Sequence, residues 1–133
     1  MNRVKLGLIG LGVLIVVFGV GYAVGASGRR AAEQALSGTE QRIDVANARG
    51  LLLQARVSLY NVNFGDAQRQ LQEVQAPLER VRERFETDGN ETATASVATA
   101  IQHARQAQAM AGKLDQAANT AAAQALQSLD AAR

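Results

Sequence analysis

The stretch Phe64–Phe85, FGDAQRQLQEVQAPLERVRERF, places apolar residues at Phe64, Ala67, Leu71, Val74, Leu78, Val81 and Phe85, in alternating steps of three and four. That spacing keeps one seam on one side of an α-helix and leaves Arg69, Glu73, Glu79, Arg80, Arg82, Glu83 and Glu86 to water or to the edges of the seam. Asn63 stands just ahead of the run, where its side chain suits the capping of the first turn, and Asp66 follows as a second start signal. Pro77 lies inside the run, removing a backbone donor and crowding the preceding turn at a cost of about 3 kcal/mol. Because the seam stays in phase through Leu78, Val81 and Phe85, the pattern predicts one bent helix over 64–87 in preference to a break with a new helix starting at Pro77.

Upstream, Leu36, Ile43, Ala46, Gly50, Leu53, Val57 and Tyr60 recur at multiples of the same steps, and Leu51, Leu52, Ala55 and Leu59 widen the face. This predicts a second amphipathic helix over 41–62. Ser37, Gly38 and Thr39 disfavour a helix interior and predict a break there, within a flexible neck over 29–40. Only a short turn fits between Tyr60 and Ala67, so the two helices are expected to fold back as an antiparallel hairpin.

Downstream, Thr87, Asp88, Gly89 and Asn90 form a turn cluster. A third helix is expected over 91–130, with Val97, Ile101, Ala104, Ala111, Leu114, Ala118, Ala125 and Leu129 on one side. It carries 16 alanines between Glu91 and Arg133. Alanine favours helix and leaves a thin profile, so this helix can lie close to the hairpin while burying little area. The expected fold is therefore all-α, a small helical bundle made of a hairpin and an Ala-rich helix over 41–133. Its modest core invites completion by a partner or by self-association.

Ahead of this domain, Leu6 to Gly28 runs for 23 positions without a charged side chain. As a helix it would reach roughly 34 Å, enough for a hydrocarbon core of about 30 Å. The apolar stretch is too long for a cleaved secretory signal, although Val24 and Ala26 would suit a peptidase, so residues 1–5 and 6–28 read as a short basic leader and a retained transmembrane helix. The basic flanks, Arg3 and Lys5 before and Arg29 and Arg30 after, nearly balance. With a five-residue leader, the expected orientation is N-terminus inside and domain exported. Gly21 and Gly25 form a GxxxG pair that would let two spans approach closely. No ionisable residue lies within the span, which argues against a proton relay, an ion path or a voltage sensor.

Residues 1–30 hold four basic and no acidic side chains, whereas residues 31–133 hold ten basic and twelve acidic. A slightly acidic domain has no electrostatic case for nucleic acid. Arg29 and Arg30 fit lipid headgroups.

The inventory for catalysis is thin: no cysteine, one histidine at His103, and carboxylates spread along charged faces. No triad or metal set assembles, so neither an enzyme nor a cofactor nor a small-molecule substrate is expected. Asp88-Gly89-Asn90-Glu91-Thr92 begins like a calcium loop, but Ala93 stands where glycine is needed and Thr99 where the closing glutamate belongs. Asn90-Glu91-Thr92 is also an acceptor triplet for N-linked sugar, though turn and capping needs alone account for these residues. The charge run from Glu79 to Asp88 reads as a solvated helix face with short-range ion pairs.

The segment Ala55 to Leu71, with Tyr60, the Phe64-Gly65-Asp66 turn and Ala67, resembles one tetratricopeptide-type helical hairpin. It lacks the first-helix Trp-Leu-Gly positions, has a shortened turn and shows no second copy, whereas stacked repeats need about three units. The resemblance implies a protein-interaction scaffold.

These readings converge on a membrane-anchored, non-catalytic adaptor or accessory subunit whose partners are membrane lipid, another envelope or membrane protein, or itself. A bacterial inner membrane, with the C-terminal domain in the periplasm, is the expected location. The expected interaction residues are Gly21 and Gly25 in the span and Leu53, Val57, Tyr60, Phe64, Leu71, Val74 and Leu78 along the hairpin seam. A homo-oligomeric coiled-coil tether, paired through the same glycines and heptads, is the alternative.

Overall fold

The computed structural model describes residues 32–33 and 35–132, and the chain divides into two compact units, Met1–Thr39 and Glu40–Arg133. The leader, the stretch 6–28 and the Gly21/Gly25 pair lie outside the described residues. Among the described residues no helix is long and apolar enough to cross a membrane. In the first unit residues 35–39 are helical. Ser37, Gly38 and Thr39 thus do not break the helix as expected, and the Thr39 hydroxyl donates back to the Ala35 carbonyl at 2.9 Å, the one-turn bond by which threonine is accommodated in a helix.

The second unit is all helix. Its elements are α1 (40–60), α2 (Phe64–Glu73), α3 (Gln75–Thr87), α4 (Glu91–Gly112) and α5 (Ala118–Asp130). The side-chain bonds fix the directions. Ser58 meets Gln70, Asp44 meets Arg80 and Glu40 meets Arg84, so α1 and the α2–α3 pair are antiparallel. Arg56 meets Asn119 and Arg49 meets Asp130, so α5 runs antiparallel to α1 on its other flank. With Arg105 of α4 reaching Glu79 of α3, the helices form an up-and-down bundle of four arms, α1, α2–α3, α4 and α5.

Two expected elements are divided. The helix over 64–87 is interrupted at Val74, three residues before Pro77. Pro77 has no N–H for the Glu73 carbonyl, so the ladder lapses at the turn that proline would have closed. Gln75 Nε2 donates to the Leu71 carbonyl across the gap at 3.1 Å. The seam itself is as expected: Ala67, Leu71, Val74, Leu78 and Val81 are buried, and Phe64 and Phe85 pack at its ends.

The helix expected over 91–130 is two antiparallel helices. Leu114, counted on the buried stripe, instead occupies an exposed turn with φ +60°. The Asp115 N–H bonds the Met110 carbonyl at 3.0 Å, and Asp115 Oδ1 then accepts from Ala117 N at 2.8 Å to start α5. The same helix-ending bond closes α1, from Asn63 N to Ser58 O, and α3, from Asn90 N to Phe85 O. Asn63 and Asn90 accept from Asp66 N and Ala93 N as N-caps, so Asn90 is engaged in capping.

Thirteen of the 22 buried apolar residues among those described are alanine. Such a core draws the helices close and gains little area per contact, so polar ties between helices carry weight. The charge run 79–88 is not simply a solvated face. Arg80 and Arg84 cross to Asp44 and Glu40 of α1, and Glu79 receives Arg105 of α4.

Candidate interaction surface

Helix α1 carries two apolar faces. Ala48, Leu52, Ala55 and Leu59 are turned into the core. The stripe with the larger residues is turned outward: Ile43 is 54% exposed, Leu53 41%, Val57 61% and Tyr60 82%. The sequence pattern puts this stripe on one widened face with Leu52, Ala55 and Leu59 along the hairpin seam, and the structure parts the two. A helix packed against α3 on one side and α5 on the other has room inward for one stripe only, and the narrow Ala48/Ala55 stripe fits an alanine-rich interior.

The exposed large apolar residues of the second unit, among those described, fall on α1 and on the two turns at Val62 and Leu114. Both turns lie at the end of the bundle where α1 finishes, since the Gly112 backbone comes against the Gln68 side chain and Arg56 reaches the start of α5. Leu53, Arg56, Val57, Tyr60 and Asn119 line an open cleft of about 290 Å³ between α1 and α5.

The expected interaction residues therefore part company. Leu53, Val57 and Tyr60 stand on the surface. Leu71, Val74 and Leu78 are fully buried and hold the bundle together, so they are not available to another protein while it stays folded, and Phe64 packs partly against the core. Ile43 is a surface residue of α1 that the expected set omitted. Tyr60, which carries part of the tetratricopeptide resemblance, projects into solvent, while Ala67 is buried.

Gly50 sits at the middle of the outward stripe. A Cβ placed there meets nothing within 4 Å, so the packing of the bundle does not call for glycine. In a helix interior glycine costs about 1 kcal/mol relative to alanine. Val62 is the reverse case, a β-branched residue at φ +60°, where glycine would relieve strain. The chain thus lacks a side chain where its own fold would favour one, and carries one where its fold would favour none.

The stripe is flanked by polar rows in heptad register, Arg42, Arg49 and Arg56 on one side and Asn47, Gln54 and Asn61 on the other. Arg49 Nη1 holds Asp130 at 2.8 Å and Arg56 Nε donates to Asn119 Oδ1 at 3.1 Å. From Val45 to Asn63 there is no carboxylate. Asp44 is turned away, 7% exposed and bound by Arg80. That hydrogen bond holds the Arg80 guanidinium above its already high ordinary pKa. Elsewhere, His103 on α4 is partly buried with no hydrogen-bond partner at Nδ1. Among the described residues no three His, Cys, Asp or Glu side chains gather to hold a metal ion.

Compared with known proteins, the chain matches no family profile, no curated protein and no solved structure.

Proposed function

We propose that this chain is a non-catalytic, membrane-anchored helical interaction module, an adaptor or accessory subunit of an envelope complex, and that it offers the outer face of α1 to another protein. The observation that carries the reading is the outward stripe from Ile43 to Tyr60. Large apolar side chains in a helical register face water there, while the other helices of the bundle, among the described residues, turn theirs inward. An apolar patch rimmed by polar rows marks an interaction surface. The anchor rests on the uncharged run from Leu6 to Gly28, which has the length and composition of a span.

The heptad spacing of Ile43, Gly50, Leu53, Val57 and Tyr60 also favours a second reading, a homo-oligomeric tether paired through the same stripe. Site-directed photocrosslinking in the native membrane separates the two. A photoreactive residue at Val57 is expected to give a discrete foreign product, and one at the exposed Gln72 of α2 none. A product of twice the chain mass from Val57 favours the tether, and no product from Val57 overturns both.

A further inference from the structure

The electrostatics of the α1 face narrow the chemistry of its occupant, and this step rests on the docking reading just given. The stripe from Ile43 to Tyr60 extends about 26 Å at 1.5 Å per residue, a length suited to one helix laid alongside. Along one edge run Arg42, Arg49 and Arg56, each one heptad from the next, and along the other run the amides Asn47, Gln54 and Asn61. Asp44 and Glu40 are held by Arg80 and Arg84, and Asp130 already pairs with Arg49, so among the described residues Arg42 and Arg56 are the members of this row without a carboxylate partner. Arg56 spends its Nε on a neutral amide, so its charge is not cancelled.

A second copy meets this face poorly. In a parallel pair the arginine row of each chain faces the amide row of the other, and in an antiparallel pair arginine faces arginine. Neither arrangement supplies an acid to Arg42 or Arg56. We infer that the occupant is an amphipathic helix of another protein, lying along α1 with its apolar stripe on Leu53, Val57 and Tyr60 and with acidic residues on its flank, over Arg42 and Arg56. Arginine flanks paired with carboxylates set partner choice and register in such pairings. The absent side chain at Gly50 lets the two backbones approach near the middle of the contact.

The test uses the full chain reconstituted in phosphatidylcholine nanodiscs and two labelled three-heptad peptides. Both carry Leu at the a and d positions, one with Glu and the other with Lys at e and g. The Glu peptide is expected to bind at least about tenfold more tightly than the Lys peptide in fluorescence anisotropy. The double substitution Arg42→Gln with Arg56→Gln is expected to remove that preference, and Val57→Ser to weaken both peptides, with helicity unchanged by circular dichroism.

Equal binding of the two peptides, still weakened by Val57→Ser, overturns the acidic partner while leaving the docking face standing. Failure of both peptides, with a self-associated species that Val57→Ser dissociates in sedimentation, assigns the face to a second copy. Failure of both with capture by phosphatidylglycerol vesicles assigns it to a membrane surface.

Discussion

Arg80 on α3 donates from both Nε and Nη2 to a single oxygen of Asp44 on α1, at 3.0 and 2.8 Å. The two ends of this tie are unlike. The carboxylate is sheltered, with a side-chain exposure of 10%, while the guanidinium is half in water at 49%. Removing Arg80 strands a sheltered negative charge that Arg84 Nη2 reaches only at 3.5 Å, whereas removing Asp44 releases an arginine that rehydrates freely. Arg80→Ala is therefore expected to lower the thermal midpoint more than Asp44→Ala, with the double variant close to Asp44→Ala alone. Thermal unfolding followed by circular dichroism measures the order. The bond raises the Arg80 pKa, so its share of stability is complete below the ordinary arginine value and fades only as pH rises above it.

The three helix-ending turns differ in the residue placed at positive φ: Val62 at 60°, Gly89 at 70° and Leu114 at 60°. A side chain in this region costs about 1–2 kcal/mol, partly offset by the freedom glycine gains in the unfolded chain. Val62→Gly and Leu114→Gly are each expected to stabilise the bundle by up to about 1 kcal/mol, Val62 by more because it is β-branched. Gly89→Ala is expected to destabilise it by a similar amount. Denaturant titration of the three variants reads the signs directly, and a loss of stability in Val62→Gly would contradict the strain.

Periodicity exposed the α2–α3 seam because Leu71, Val74, Leu78 and Val81 form one apolar stripe with charges all around it. On α1 it failed to choose between two stripes. The outward one holds Ile43, Val57 and Tyr60 and is the bulkier, but which stripe turns inward is decided by what the neighbouring helices can accept, and their alanines accept Ala48 and Ala55. The break between α4 and α5 was hidden for a related reason. Leu114 continues the apolar register, and the turn closes on leucine where glycine would have announced it, leaving only Gly112 and Asp115 as signals. The ties from Arg80 and Arg84 to α1 were equally invisible, because charge spacing within a helix reports its local pairs and not those it makes across a bundle.

Leu71 and Val57 separate core from surface by a direct comparison. Leu71 is fully buried and Val57 is 61% exposed. Leu71→Ala is expected to cost about 2–5 kcal/mol, and Leu71→Asp to unfold the bundle. Val57→Ser is expected to change stability by no more than about 0.5 kcal/mol. Chemical denaturation gives both values, and a large loss in Val57→Ser would mean that the outward stripe supports the fold itself.

Gly50 sets stability against association at one position. Its Cβ space is open in the isolated chain, and alanine in a helix interior is favoured over glycine by about 1 kcal/mol. Gly50→Ala is therefore expected to stabilise the bundle by about that amount in denaturant unfolding. The same methyl group stands where a docked helix would approach, between Ile43 and Val57 on the outward face, and it would push the two backbones apart. Gly50→Ala is thus expected to weaken the Val57 photocrosslink to the partner while strengthening the fold. A stabilised variant whose crosslink is undiminished would place the partner's path along α1 away from Gly50.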